Sequence, residues 1–257
     1  GCGGCYALYG GVGNDHITGS EGSTDAIYDS LGLQQDAQDD FLVGGYGNDT
    51  ILAGAGSDYL AGEDGDDTLL GDDGHDQIYS GAGQDTVYGG VGNDTISATD
   101  YYDLVADTLY GGAGNDTLAG GAGADVLDGG TGIDAASFAN ATSAVSVSLA
   151  TGLGSGGDAA GDVLSNIQKV LGSAQKDTFI LADSAVTQEL DGGAEVNTVS
   201  FERARASVTA TLQALAGVSL AGAAGGKTFT NIQNLTGSSQ GDVLGGKDDE
   251  NNLLTGG

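Results

Sequence analysis

The sequence predicts an all-β fold, a solenoid of short stacked strands, and three observations predict it. First, six nine-residue units stand end to end from Gly44 to Ser97: GGYGNDTIL, AGAGSDYLA, GEDGDDTLL, GDDGHDQIY, SGAGQDTVY and GGVGNDTIS. Second, each unit places an aspartate sixth and an aliphatic residue eighth. Asp49, Asp58, Asp67, Asp76, Asp85 and Asp94 therefore alternate with Ile51, Leu60, Leu69, Ile78, Val87 and Ile96. Third, glycines recur at the second and fourth places, where a turn needs backbone that other residues resist. A unit this short cannot bury its one large apolar side chain alone and must stack on its neighbours.

The elements follow in order. One good unit opens the chain from Gly10 to Thr18, with Gly11, Gly13 and Asp15. From Gly19 to Tyr28 the pattern reads as a unit with one extra residue, and residues 29–38 form a polar insertion expected to loop out. The register returns at Asp40-Phe41-Leu42-Val43 and runs through the six units. A second insertion, residues 98–106, carries Tyr101, Tyr102 and Leu104; its aromatics read either as a contact patch or, the expectation here, as cover for the edge of the core. Asp107 heads a partial unit, and GGAGNDTLA, GGAGADVLD and GGTGIDAAS follow with Asp116, Asp125 and Asp134.

After Ser137 a longer repeat takes over. DGGTGIDAASF at 128–138 returns as DGGAEVNTVSF at 191–201, VSVSL at 145–149 as VTATL at 208–212, and Asn166-Ile167-Gln168 as Asn231-Ile232-Gln233. Alternating apolar positions read as strands with one buried face. Two domains are expected, 1–137 and 138–257, the second a degenerate solenoid with few or no ions because most turn Asp and Gly are lost.

Stacked strands sit ~4.8 Å apart, so aspartates eighteen residues apart fall in columns at about that spacing. Such columns disfavour ionisation or require a cation between the carboxylates. An oxygen-only site of carboxylates and carbonyls suits calcium. The GGxGxDxUx units resemble the RTX family of secreted calcium-binding repeat proteins. The resemblance implies a parallel β-roll with two units per turn, folding and stiffening on Ca2+, and export by type I secretion to the extracellular space or cell surface.

It also implies a ligand set, in which the carbonyls of the second and fourth places join the sixth-place Asp. Here those are Gly11 and Gly13 with Asp15, Gly45 and Gly47 with Asp49, Gly54 and Gly56 with Asp58, Gly65 with Asp67, and Gly74 with Asp76. The series continues with Gly81 and Gly83 with Asp85, Gly90 and Gly92 with Asp94, then Asp107. Gly112 and Gly114 with Asp116, Gly121 and Gly123 with Asp125, and Gly130 and Gly132 with Asp134 complete it. Glu63 and Asp72 stand where the second glycine usually does, which keeps the carbonyl.

Charge narrows the function classes. The chain has 37 acidic and 6 basic residues, a net charge of −31, and its first 168 residues contain no Lys or Arg. Nucleic acid is excluded as a partner because phosphate binding needs cations, and docking on an anionic membrane is disfavoured. No apolar run approaches the ~20 residues of a membrane span. Self-association, or attachment to acidic polysaccharide bridged by calcium, remain open as partners.

Other motifs carry less. Cys2 and Cys5 form a lone CxxC, readable as a disulfide, as free thiols or as part of a metal site. AGAAGGKT at 221–228 lacks the first glycine of a phosphate loop and runs into strand-like FTNI instead of a helix. His16 and His75 sit beside turn aspartates with no nucleophile arranged around them. The expectation is a non-enzymatic segment of a longer protein, either part of a surface, matrix, filament or adhesin protein or the secretion and folding module of a secreted enzyme or toxin.

Overall fold

The computed structural model describes residues 7–12, 16–18, 39–99, 104–183, 187–212, 221–222, 224–247 and 251–257; Asp15, Gly13, Cys2, Cys5, Tyr101, Tyr102 and the 29–38 insertion lie outside them. The chain divides into two compact units, Gly1–Ala135 and Ala136–Gly257.

In the first unit almost every nonapeptide yields one strand. They are β1 Ala7–Val12, β2 His16–Thr18, β3 Phe41–Tyr46, β4 Thr50–Ala55, β5 Tyr59–Asp64, β6 Thr68–Asp73 and β7 Gln77–Ala82. There follow β8 Thr86–Val91, β9 Thr95–Ser97, β10 Thr108–Ala113, β11 Thr117–Ala119, β12 Val126–Thr131 and β13 Ala135–Ser137. Odd strands through β11 form one parallel sheet and even strands through β12 the other, so the chain changes sheet at every turn. Two units make one coil, as the resemblance implied.

Register puts like on like. Ile51, Leu69, Val87, Leu109 and Leu127 pair in sequence on one sheet. Leu42, Leu60, Ile78, Ile96 and Leu118 do so on the other. All ten are at most 1% exposed, and together these two ladders form the core. Parallel pairing of identical registers lets each side chain pack on its own counterpart, which is why one aliphatic residue per unit suffices.

The 98–106 insertion does not break the coil. β8 and β10 pair in register across it, Val87 opposite Leu109, and the step simply lengthens from 18 residues to 22. Leu104, expected near the core edge, is 78% exposed.

The second unit is less regular. Lys169–Leu171, Gln188–Asp191 and Lys227–Thr230 pair in parallel, as do Ser146–Ser148, Thr178–Ile180, Thr198–Ser200 and Asn234–Thr236. Val147, Phe179, Val199 and Leu235 stack along the second of these ladders, fully buried. Between Ser146–Ser148 and Val163–Ser165 the chain folds back through the antiparallel strand Leu153–Ser155. Lys227–Thr230 is strand, so the phosphate-loop-like segment leads into no helix.

Candidate metal centres in the repeat turns

The sixth-place aspartates lie inside the coil at the turns. Asp49, Asp58, Asp67, Asp76, Asp85, Asp94, Asp107, Asp116, Asp125 and Asp134 are all at most 2% exposed. They form two ladders. In one, the N–H of Asp49 donates to Asp67 Oδ1 at 2.8 Å, Asp67 to Asp85 at 2.8 Å, Asp85 to Asp107 at 2.8 Å and Asp107 to Asp125 at 2.9 Å. In the other, Asp40 donates to Asp58, Asp58 to Asp76, Asp76 to Asp94, Asp94 to Asp116 and Asp116 to Asp134, at 2.7–2.9 Å. Asp107 thus fills a full ladder place although its unit is partial. Asp40, not among the residues the sequence singled out, heads the second ladder and is 5% exposed.

Oδ1 of each accepting aspartate is therefore spoken for. The Oδ2 atoms of Asp58, Asp67, Asp76, Asp94 and Asp116 are buried without a hydrogen-bond partner. Those of Asp67, Asp76, Asp94 and Asp116 abut the glycine that opens their unit, whereas the Asp58 unit opens on Ala53. A Cβ on Gly71 would meet Asp76 Oδ2 and the Gly89 carbonyl; on Gly111 it would meet Asp116 Oδ2 and the Gly129 carbonyl at 2.6 Å. Carboxylate and carbonyl oxygens converge there with no donor between them. An unfilled buried acceptor is costly, so the geometry calls for a proton or a cation. Close approach of the carboxylate to the first-place glycine was not legible in the sequence, and Ala53 and Ser80 hold that place in two units.

The second and fourth places bring their carbonyls to the same turns. The φ of Gly45 is 113°, of Gly54 101°, of Gly81 102° and of Gly90 114° at the second place, and Gly47, Gly56, Gly83 and Gly92 at the fourth lie between 122° and 148°. Glu63 (φ 78°) and Asp72 (φ 67°) adopt the same left-handed backbone at the second place, so these two units keep the turn despite losing the glycine. The carbonyls of Gly47 and Gly74 press against the Cα of Gly65 and Gly92 one coil on. Gly112, Gly114, Gly121, Gly130 and Gly132 repeat the pattern with φ of 86° to 146°. Gly74 and Gly123 reach their place without a left-handed φ, and Gly11 pairs with Gly45 in the first parallel step. His75 stays exposed, its Nδ1 accepting the Asn93 N–H at 2.7 Å.

Among the described residues no three His, Cys, Asp or Glu side chains converge as a metal cluster. An ion held here would take most of its ligands from main-chain carbonyls, with the carboxylates supplying charge. That all-oxygen set, with its orphaned carboxylate oxygens, fits a hard cation such as calcium and offers nothing to a thiol- or imidazole-seeking metal.

Burial raises the carboxyl pKa values: Asp67 and Asp76 to about 7, Asp58 and Asp116 to about 6. The main-chain N–H each accepts opposes this, and neighbouring carboxylates in the ladder add to it. Because these values lie above the ordinary 3.8, the metal-free fold gains stability from protonation. The gain is complete below ~pH 4 and is lost as pH rises through 6 to 7. Calcium-stripped protein should therefore melt higher at pH 5 than at pH 8, and the calcium needed for half-folding should fall as pH is lowered from 8 to 5, because protonation stabilises the metal-free fold without stabilising the unfolded chain. Melting temperatures that do not depend on pH between 5 and 8 would contradict this.

At two turns of the second unit, those of Asp177 and Asn197, protein donors fill the place left open in the first, whereas Asp242 Oδ2 remains buried without a partner. Asn197 takes a sixth place; its Oδ1 accepts the Asp177 N–H at 2.8 Å, continuing the ladder geometry. Its Nδ2 donates to the carbonyls of Ala194 at 2.8 Å and Asn231 at 3.0 Å. A Cβ on Gly192 would meet Nδ2 and the Asn231 carbonyl, the arrangement seen at Gly71 with an amide in place of the second oxygen. Asp177 receives the Ser173 N–H on Oδ2 at 2.6 Å and the Ser173 hydroxyl on Oδ1 at 2.8 Å.

Fold and turns together define a repeat β-solenoid domain of the calcium-binding kind. The family model of the RTX calcium-binding nonapeptide repeat matches four times, at residues 7–23, 36–69, 62–96 and 103–135, and the repeat region of this chain belongs to that family. No curated protein matches the chain.

Proposed function

We propose that this chain is a calcium-stiffened structural segment of an extracellular protein of the surface, matrix, filament or adhesin kind. The ion ligands in this reading are the ladder aspartates from Asp49 to Asp134 with the second- and fourth-place carbonyls, and Asp15 by sequence pattern. One observation carries it: buried Oδ2 atoms converge with carbonyl oxygens at successive turns, in a unit that has no Lys or Arg to neutralise them. A flexible acidic chain then becomes a rigid rod when ions bind, since binding energy becomes folding energy. No described helix is long and apolar enough to cross a membrane.

The test is a calcium titration followed by circular dichroism and light scattering together. Cooperative gain of β signal with growth in mass is the expected result for an assembling surface or filament protein. Folding that stays monomeric would favour the accessory module of a secreted enzyme instead, and full β signal in excess chelator at pH 8 would overturn calcium-driven folding itself.

A further inference from the structure

We infer that the second unit binds a singly charged, hydroxyl-bearing carboxylate, the chemistry of an acidic sugar, in a cavity of about 320 Å³ lined by Ala150, Thr151, Ala182, Asp183, Arg203 and Arg205. The site is independent of the calcium reading. Cations are scarce in this chain, yet two of its six Lys and Arg residues share this one wall. Neither guanidinium is paired with a carboxylate among the described residues.

The long repeat supplies an internal control. Ala204 N–H donates to Phe201 O at 2.9 Å, and 63 residues earlier Ala141 N–H donates to Phe138 O at 3.0 Å, so the same turn is built twice. The earlier copy carries Asn140 and Thr142 where the later one carries Arg203 and Arg205. The turn therefore forms without cations, and the arginines are surplus to folding. Asp183 holds this loop against the cavity: its carboxylate accepts the Arg205 N–H at 2.8 Å and the Ala206 N–H at 3.3 Å.

The lining selects the ligand. Guanidinium groups take a carboxylate through paired N–H donors. Nothing apolar larger than alanine lines the cavity, so the ligand is polar throughout. The Asp183 charge penalises a dianion more than a monoanion, while its oxygens and the Thr151 hydroxyl are partners for sugar hydroxyls. The volume is at the small end of ligand sites, matching one sugar ring with its substituents.

The experiment titrates galacturonate, trigalacturonate, galactose and sulfate into the whole chain in calcium, by calorimetry, for the natural sequence and for R203N/R205T, which installs the residues of the earlier copy. Galacturonate should bind, galactose and sulfate far more weakly, and the double variant should lose about tenfold or more in affinity, the loss of a charge-assisted contact. Tighter binding of the trimer would assign the site to a uronate chain, and equal binding to a free acidic sugar. Circular dichroism checks that the variant is folded; should it not be, Arg203→Lys keeps the charge, removes the fork and should still weaken binding severalfold. No binding by the natural protein, or the same affinity in the folded variants, overturns the site.

Discussion

Asp76→Ala should raise the calcium concentration needed for half-folding by about tenfold or more, whereas Asp76→Asn should leave it within about twofold and bind one ion fewer. The alanine leaves the Asp58 N–H, which Asp76 Oδ1 accepts at 2.8 Å, buried without an acceptor. That alone costs ~1–3 kcal/mol, before the lost ligand is counted. The asparagine keeps the acceptor and turns the unpartnered Oδ2 into an amide facing the Gly89 carbonyl. Asn197 already uses that solution, its Nδ2 donating to the Asn231 carbonyl at 3.0 Å. Circular dichroism against free calcium, with ion stoichiometry by calorimetry, separates the two variants. Equal midpoints for alanine and asparagine would show that the hydrogen-bond ladder contributes nothing beyond ion ligation.

Gly65→Ala should be as damaging although it removes no ligand. The residue has φ 148°, and an added Cβ would collide with the Gly47 carbonyl one coil back. Backbone strain of this kind costs ~1–3 kcal/mol, and here the displaced atom is a carbonyl at a candidate ion site. The variant should melt well below the natural protein in saturating calcium and need more calcium to fold. Val91→Ala, at a position 57% exposed, is the control and should do neither. A Gly65→Ala protein that melts like the control would mean that the turns are not fixed as described.

Much of this was legible in the sequence because the repeat states it many times over. The ninefold spacing gave both the aspartate ladders and the aliphatic core, and each appears in the structure at its expected register. What escaped has physical reasons. The lengthened step from Asp85 to Asp107 preserves the ladder across an insertion, and spacing alone cannot distinguish an interrupted coil from one with a loop. Asp40 belongs to the ladder, but the turn motif that would mark its unit is missing before it. Glu63 and Asp72 hold left-handed backbone that their residue types do not advertise. In the second unit, the exchange of Asp for Asn at position 197 reads as decay of the motif, whereas the structure gives the amide a job.

The most direct test of the account is amide hydrogen exchange, read by mass spectrometry at pH 8 with calcium and after its removal. The turn amides of the first unit, those of Asp58, Asp76 and Asp94 among them, should be protected with calcium and exchange freely without it. The Asp177 amide, bonded to Asn197 Oδ1 in a turn completed by protein donors, should stay protected in both conditions. Protection of the first-unit turns that survives complete removal of calcium would contradict the claim that these oxygen-lined turns are cation sites on which the fold depends.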